Sequence, residues 1–274
     1  MTEPIIHPTT RSLLDASTPH LPQSFLISGP SGVGLKTIAL WITGTQHAST
    51  IVPKNTKGDD DEQGTIGVEA IRTLHTQTRG KQTKRQIYII DDADRMSAAA
   101  QAAFLKLLEE PTPHTHFLLT SHYPEKLLAT ITSRTQHCRI LPVTAQQTID
   151  CIKKSNVTDP TKQAQLQFIA AGLPAEIHRL ASDETAFSAR AKIVTDARTF
   201  LQGDAYAKLQ LIQQYQADKT RAQQLVRAAL HLLRRTMSTN ATPAVTAQLH
   251  SLLDIHDKIT AQHNVRLQLA RFVV

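Results

Sequence analysis

The sequence predicts an α/β protein in which a parallel sheet flanked by helices is followed by helices alone. Two observations predict the sheet: the apolar run Phe25–Ile27 leads into a glycine-rich turn, and the apolar run 86–90 ends in paired carboxylates. A third predicts the helical part, because apolar residues after Pro142 recur at the spacing i, i+4, i+7 of amphipathic helices. With 274 residues, of which 41% are hydrophobic, the chain is long enough for two or three domains.

The glycine-rich turn has the frame of a phosphate-binding loop. Gly29 and Gly34 have the separation found in the pattern G-x-x-x-x-G-K-[ST], which joins a strand to a helix. The next two positions should hold a lysine for the phosphates and a hydroxyl for Mg²⁺, but they hold Leu35 and Lys36. Leucine offers no charge to a triphosphate, and an ammonium group repels a metal ion. The turn therefore predicts a degenerate nucleotide site.

Two other interpretations of this turn stay open. In the first, Leu35 is a one-residue insertion, so that Lys36 and Thr37 supply the usual residue types in a lengthened loop whose N–H groups converge less well on an anion. In the second, the turn only connects a strand and a helix and binds no phosphate. We favour substitution, because Thr37 and the apolar residues after it continue the helix in register.

A second motif follows the apolar run 86–90. Asp91 and Asp92 directly after a buried strand have the form of a Walker B motif, in which the first acid holds Mg²⁺ and the second orients the attacking water. Asp92 stands where a glutamate is usual and is one methylene shorter. The alternative is a strand end at which Asp92 or Asp94 begins a loop. The predicted nucleotide positions, with ATP and Mg²⁺ bound weakly or not at all, are Gly29, Gly34, Leu35, Lys36, Thr37, Asp91 and Asp92.

The next elements continue the α/β alternation. Ser97 is a suitable N-cap for a helix over 98–108, which the sequence Glu109-Glu110-Pro111 ends because a residue before proline avoids the helical region. A strand over 116–120 follows. If the sheet is parallel, Ser121 or His122 at the end of that strand faces the same crevice as the phosphate loop.

These motifs, in this order and spacing, resemble a bacterial clamp-loader subunit of the AAA+ family, similar to the DNA polymerase III delta-prime and gamma/tau subunits. The resemblance covers most of residues 20–142, and the sequence Leu-Glu-Glu-Pro after the Walker B helix is its most specific part. The C-terminal segment 264–269 also resembles the ending of these subunits. The segments that carry the resemblance are Ile89–Asp94, Phe104–Pro111, His114–Leu119, Pro124–Leu127 and Thr132–Arg134.

The resemblance implies a three-part architecture. A RecA-like parallel αβα AAA+ core over 1–143 is expected to precede a small helical lid over 144–183 and an all-α collar over 184–274 that holds subunits together. Helices are expected over 144–155, 161–171 and 174–181 in the lid. In the collar, the apolar stripe comprises Leu225, Ala229, Leu232 and Leu233, and later Val245, Leu249, Leu252 and Ile259.

Arg134 is the candidate catalytic residue. In the family, a Ser-Arg-Cys tripeptide supplies an arginine finger to the ATP of the neighbouring subunit, and here it reads Ser133-Arg134-Thr135. The cysteine is replaced, but the arginine that carries the charge remains. A finger delivered in trans is worth about 10³–10⁵ in rate. The alternative is that Arg134 pairs with a surface carboxylate.

Three departures from the ATP-hydrolysing relatives indicate the delta-prime type. The four-cysteine zinc module of gamma/tau subunits has no counterpart, since only Cys138 and Cys151 occur, so no metal site is expected. The lid position that aligns with a phosphate-sensing arginine holds Ala175, and Arg179 lies one turn further on. Together with Leu35 and Lys36, this predicts a subunit that needs no cofactor.

The resemblance implies the partners and the place of action. Gamma/tau-type ATPase subunits and the delta subunit would be direct partners, and the sliding clamp and primer-template DNA would be reached through the complex. The net charge of +7 agrees with an anionic partner. The basic segment 79–85 is either a DNA contact or a solvated connector. The chain shows no apolar run of about 18 residues and no signal peptide, which predicts a cytoplasmic location without a membrane anchor.

Three functions are therefore weighed. The first is a clamp-loader subunit without intrinsic ATPase activity, a non-catalytic part of a DNA-directed DNA polymerase (nucleotidyltransferase) holoenzyme. The second is an active gamma/tau-like ATPase that uses Lys36 and Thr37 in a distorted loop. The third is a scaffold AAA+ protein in which Arg134 has no catalytic role.

Overall fold

The computed structural model describes residues 3–44, 48–55, 57–61, 64–78, 85–239, 242–261 and 263–273. The chain divides into two compact units, Met1–Ser182 and Asp183–Val274. The predicted lid, 144–183, falls in the first unit up to Ser182, and the predicted collar falls in the second.

The first unit is built on a parallel sheet of five strands in the order β2-β3-β4-β1-β5. All four strand pairings are parallel, which confirms the predicted α/β fold class. Strand β1, which lies between β4 and β5, is buried at all five positions, as expected for a parallel sheet that helices cover on both faces. The strands are β1 (Ser24–Ser28), β2 (Ala48–Ile51), β3 (Gln86–Ile90), β4 (Thr115–Ser121) and β5 (Gln136–Arg139).

In the described residues of this unit, eight α-helices accompany the sheet, and there are two apolar cores. One core joins Leu26 and Ile90 to residues of α3 and α4, and the other joins Phe25 and Ile27 to residues of α1 and α2. Successive residues of β1 thus pack into different cores, because side chains alternate across a strand. The helices are α1 (Pro8–Ser17), α2 (Leu35–Thr43), α3 (Val68–Thr78), α4 (Ala98–Glu109), α5 (Ala129–Thr132), α6 (Ala145–Lys154), α7 (Pro160–Ile169) and α8 (Pro174–Ser182).

Most predicted helix starts agree with the capping observed. Ser97 accepts a hydrogen bond from the N–H of Ala100 at the start of α4, and Thr144 forms a capping box with Gln147 at the start of α6. The predicted start of α7 at Thr161 is wrong by one residue, because Asp159 caps that helix and Pro160 is its first residue. Strand β2 and helix α3 were not predicted from the sequence.

The second unit contains five helices within its described residues. Most of the predicted stripe on α11 is buried, with Leu225, Ala229 and Leu233 in the core, whereas Leu232 is partly exposed. In the part of the chain that the structure describes, no helix is both long and apolar enough to cross a membrane. The helices are α9 (Glu184–Gln202), α10 (Ala205–Tyr215), α11 (Lys219–Thr239), α12 (Pro243–Thr260) and α13 (Val265–Ala270).

Candidate functional site

The candidate site lies where β1, β3 and β4 end side by side. Gly29, directly after β1, donates its N–H to the carbonyl of Ser121 at 3.3 Å. The ring Nδ1 of His122 lies 2.8 Å from the carbonyl oxygen of Gly29. The end of β4 therefore lies against the phosphate loop, as predicted for a parallel sheet. The carboxyl edge of such a sheet is where ligands bind in α/β proteins.

The phosphate loop keeps the length of the unmodified motif. Six residues, Gly29 to Gly34, separate β1 from α2, and Leu35 is the first residue of that helix. Gly34 has φ +94°, a left-handed conformation that a residue with a Cβ rarely adopts. No additional residue lengthens the loop, which favours substitution over insertion.

Leu35 is part of the apolar core. Its side chain is only 2% exposed and belongs to the same cluster as Phe25, Ile27 and Ile38. A lysine at this position in a working loop reaches the β- and γ-phosphates. Here the position contributes apolar surface to the packing of α2 against the sheet and presents no cation to a phosphate.

Lys36 and Asp91 form an ion pair across the crevice. The Nζ atom of Lys36 lies 3.4 Å from Oδ2 of Asp91, and the lysine side chain is half exposed whereas the aspartate side chain is 13% exposed. The other carboxylate oxygen, Oδ1, accepts a hydrogen bond of 2.8 Å from the hydroxyl of Thr120. Both oxygens of the predicted metal ligand are therefore engaged. Thr37, the next residue of α2, is exposed.

The second acid of the Walker B motif is held in a strained backbone conformation. Asp92 has φ +50°, and its N–H donates to Thr120 Oγ1 at 2.8 Å. Burial raises the pKa of Asp92, and the nearby Asp91 carboxylate also raises it, whereas His122 lowers it. The Nε2 atom of His122 is 3.7 Å from Oδ1 of Asp92. The crevice thus disfavours a second ionised carboxylate beside Asp91.

Asp94 has a structural role at the same edge. Its Oδ1 atom accepts hydrogen bonds from the hydroxyl of Ser121 at 2.8 Å and from the N–H of His122 at 3.1 Å. It therefore fixes the end of β4 against the loop that follows β3. Asp94 does not begin a loop, because it is the middle residue of a 3-10 helix over Ala93–Arg95.

Helix α8 packs directly on the phosphate loop. The N–H groups of Ala175 and Glu176 donate to the carbonyl of Gly32 at 2.9 and 3.1 Å. A Cβ added at Gly32 would lie 2.8 Å from Cβ of Glu176, and one added at Gly34 would lie 3.5 Å from Cβ of Ala175. The position aligned with the phosphate-sensing arginine thus faces the loop without a charge. Arg179 instead binds Glu176 through two hydrogen bonds of 2.9 and 2.8 Å.

These side chains do not fit a magnesium–nucleotide complex well. A triphosphate requires a cation at the Leu35 position, and magnesium requires a free carboxylate oxygen and a hydroxyl where Asp91 and Lys36 pair. The loop retains the shape of the motif. However, Leu35 replaces the lysine that binds the phosphates, and Lys36 at the magnesium position pairs with Asp91.

Arg134 lies near the amino ends of the strands, on the opposite side of the sheet from the crevice. It follows α5 and comes two residues before β5, which runs parallel to β1. Because the five residues of β1 span about 13 Å, the start of β5 is about that far from the crevice edge. Arg134 therefore lies away from the phosphate loop of its own chain.

The guanidinium group of Arg134 is held on two sides but remains accessible. One terminal nitrogen lies 3.1 Å from Oε1 of Glu109, and the other donates to the carbonyl of Thr130 at 3.1 Å. The arginine side chain is 38% exposed. The surface ion pair of the alternative interpretation is present, and N–H groups remain on the fork for a further acceptor.

Two residues with a role in this region were not predicted from the sequence. Gln101 is buried, and its side-chain amide bonds the carbonyl of Lys126 and the N–H of Leu128, which ties α4 to the segment that leads to Arg134. Thr120 binds Asp91. A glutamine on the buried side of an alanine-rich helix and a hydroxyl near the end of a buried strand were the available signals.

The basic segment and the two cysteines are the remaining predicted features. Most of the basic segment 79–85, namely residues 79–84, lies outside the described residues, so its interpretation stays a prediction. Cys138 and Cys151 are free and buried.

Comparisons with known proteins point in one direction. A sequence model of the family described as DNA polymerase III, delta subunit, matches residues 10–144. DNA polymerase III subunit delta' of Haemophilus influenzae is 40% identical over 73 residues, which are 26% of this chain and 22% of that protein. Subunit delta' of Bacillus subtilis is 30% identical over 127 residues, which are 46% of this chain and 38% of that protein.

A replication factor C small subunit of Sulfurisphaera tokodaii is 28% identical over 150 residues, 53% of this chain and 44% of that protein. The matched segments thus span less than half of each of these relatives. Among solved structures, a DNA polymerase III gamma subunit-related protein of Thermotoga maritima superposes with a TM-score of 0.56 at 18% identity, covering 96% of this chain and 97% of that one. At this identity the likeness shows the fold alone.

Proposed function

We propose that this chain is a bacterial clamp-loader subunit of the AAA+ family, of the delta-prime type found in the DNA polymerase III clamp loader. In this role it helps to load the sliding clamp onto primed DNA in the cytoplasm. Its direct partners are a gamma/tau-type ATPase subunit and the delta subunit, and it reaches the clamp and the primer-template DNA through the complex.

The burial of Leu35 is the observation that carries this assignment. A subunit that hydrolyses ATP needs a cation at this position, and Leu35 is instead 2% exposed in the core. Two further features support the same conclusion: Lys36 pairs with Asp91, and Ala175 faces the loop. The chain requires no cofactor and binds ATP with magnesium weakly at most.

Arg134 acts on the nucleotide of the neighbouring ATPase subunit. It is separated from its own phosphate loop by about the length of a strand, and its guanidinium group is exposed enough to donate hydrogen bonds to a phosphate oxygen. A guanidinium group that reaches the γ-phosphate stabilises the charge of the transition state and is worth about 10³–10⁵ in rate at that site. The protein thereby promotes hydrolysis without performing it.

The test of the arginine is a reconstituted complex of this chain with the gamma/tau-type and delta subunits of the same organism. Arg134→Ala should lower the DNA-stimulated ATPase rate and the rate of clamp loading, while the complex still assembles as judged by gel filtration. Arg72→Ala is the matched control, since Arg72 is exposed on α3 and pairs only locally with Glu69. Unchanged hydrolysis with Arg134→Ala would remove the finger from the proposed function.

The test of the crevice uses the isolated chain. The purified protein should contain no stoichiometric nucleotide and should show no steady ATP turnover. Turnover that Asp91→Asn abolishes would establish the rival function, an active ATPase that uses Lys36 and Thr37.

A further inference from the structure

The position that normally helps to bind the metal holds a cation in this chain. In the pattern G-x-x-x-x-G-K-[ST], the last residue offers a hydroxyl to Mg²⁺. Because the loop is not lengthened, Lys36 occupies that position, as the second residue of α2. Its ammonium group points to Asp91, the carboxylate that a Walker B motif uses for the same metal.

The contact excludes a divalent ion on electrostatic grounds. Magnesium binds carboxylate oxygens at about 2.1 Å. Since Nζ of Lys36 is 3.4 Å from Oδ2 of Asp91, a metal bound to that oxygen would lie no further than about 5.5 Å from the ammonium group, the sum of the two distances. Two cations at this separation repel each other in a partly buried crevice, where water screens charges poorly.

The place of Lys36 in its helix supports a specific role for the pair. A lysine in the first turn of a helix faces the positive end of the helix dipole, which is unfavourable. Asp91 offsets this cost, and Lys36 in turn neutralises a largely buried carboxylate whose other oxygen accepts a hydrogen bond from the hydroxyl of Thr120. Each charge compensates for the unfavourable position of the other.

We infer that Lys36 is a built-in counter-ion that takes the place of the divalent metal at Asp91, so that this crevice is neutral and closed to Mg²⁺ without any ligand. The Lys36 side chain is thus what keeps a metal ion away from Asp91. The inference concerns the isolated chain and stands independently of the role proposed for Arg134.

The experiment measures the binding of Mn²⁺, a spectroscopic substitute for Mg²⁺, to the purified chain by electron paramagnetic resonance. The wild type should bind no Mn²⁺ in the crevice. Lys36→Ala should bind one ion with a dissociation constant at least tenfold below the highest Mn²⁺ concentration at which the wild type shows no binding, and Lys36→Ala combined with Asp91→Asn should lose that ion. Lys36→Arg retains the cation and should behave as the wild type, and Lys153→Ala, which removes an exposed lysine on α6, is the matched control.

Thermal unfolding provides a second reading of the same variants. At constant ionic strength, Mg²⁺ should leave the melting temperature of the wild type unchanged and raise that of Lys36→Ala, because a ligand that binds only the folded state stabilises it. If Lys36→Ala is poorly folded, Lys36→Gln retains most of the side chain and is expected to give the same gain. Equal Mn²⁺ binding by the wild type and both neutral variants overturns the inference. That result does not bear on the Arg134 test, and a failed Arg134 test does not bear on the role of Lys36.

Discussion

Replacement of Leu35 by alanine tests the feature on which the passive role depends. The side chain is 2% exposed and packs beside Phe25, Ile27 and Ile38, so its burial contributes the full transfer free energy of about 1.5–3 kcal/mol. Truncation also leaves a cavity under the start of α2, which brings the expected loss of unfolding free energy to about 2–5 kcal/mol. A leucine that faced a solvated crevice would cost much less.

Urea unfolding measured by tryptophan fluorescence is a suitable assay. Trp41 is the only tryptophan of the chain and lies on α2, the helix that Leu35 begins. With a slope of about 2 kcal/mol per molar urea, the midpoint should fall by about 1–2.5 M. Leu13→Ala, at a leucine that is 54% exposed, is the control and should shift the midpoint little. An equally small shift for Leu35→Ala would place the side chain outside the core and refute the reasoning.

Two further predictions concern the carboxylates of the first unit. Glu109→Gln releases Arg134 from its exposed ion pair and should raise the ATPase rate of the reconstituted complex by up to about fivefold. This factor corresponds to the ~1 kcal/mol that such a pair is worth at most. Glu110→Gln is the control and should have no effect, and a lower rate with Glu109→Gln would contradict the prediction. Burial raises the pKa of Asp92, so the folded state favours the neutral carboxyl group. The resulting contribution to the free energy of unfolding is lost as the pH rises above about 4 and through the raised pKa. Asp92→Asn, which tolerates the same left-handed backbone, should therefore stabilise the protein by about 0.5–2 kcal/mol at pH 7 and give no gain below pH 4, as measured by urea unfolding at both values.

The sequence contains enough information for most of the fold. Buried parallel strands such as β1 and β3 are continuous apolar runs, and capping residues such as Ser97 mark helix starts, so both were predictable. The edge strand β2 has two exposed central positions, Ser49 and Thr50, and therefore lacks an apolar signal. Its existence depends on pairing with β3, which is a tertiary property.

The candidate site was predictable in its residues but not in its contacts. Spacing alone identified Leu35 as the occupant of the lysine position and Asp91 as the metal ligand. It could not show that Lys36 turns towards Asp91, because the pair joins residues that are 55 positions apart in the chain. It also could not show the contact of Ala175 with the loop, since the packing of α8 on Gly32 depends on the folded unit.

The two ends of the strands carry different functions in the proposed role: the nucleotide crevice lies at one end and Arg134 at the other. The phosphate loop and Asp91 lie at the carboxyl edge, and Arg134 lies at the amino edge, about the length of a strand away. Leu35 packs with Phe25, Ile27 and Ile38, and Lys36 pairs with Asp91, so changes at these two positions alter packing and charge at the first edge. Under the proposed function, selection on a neighbour's ATP site would maintain the arginine independently of the chain's own crevice. Helix α4 spans both edges, from the loop after Asp91 to Glu109, and it is the element through which a change at one edge could still reach the other.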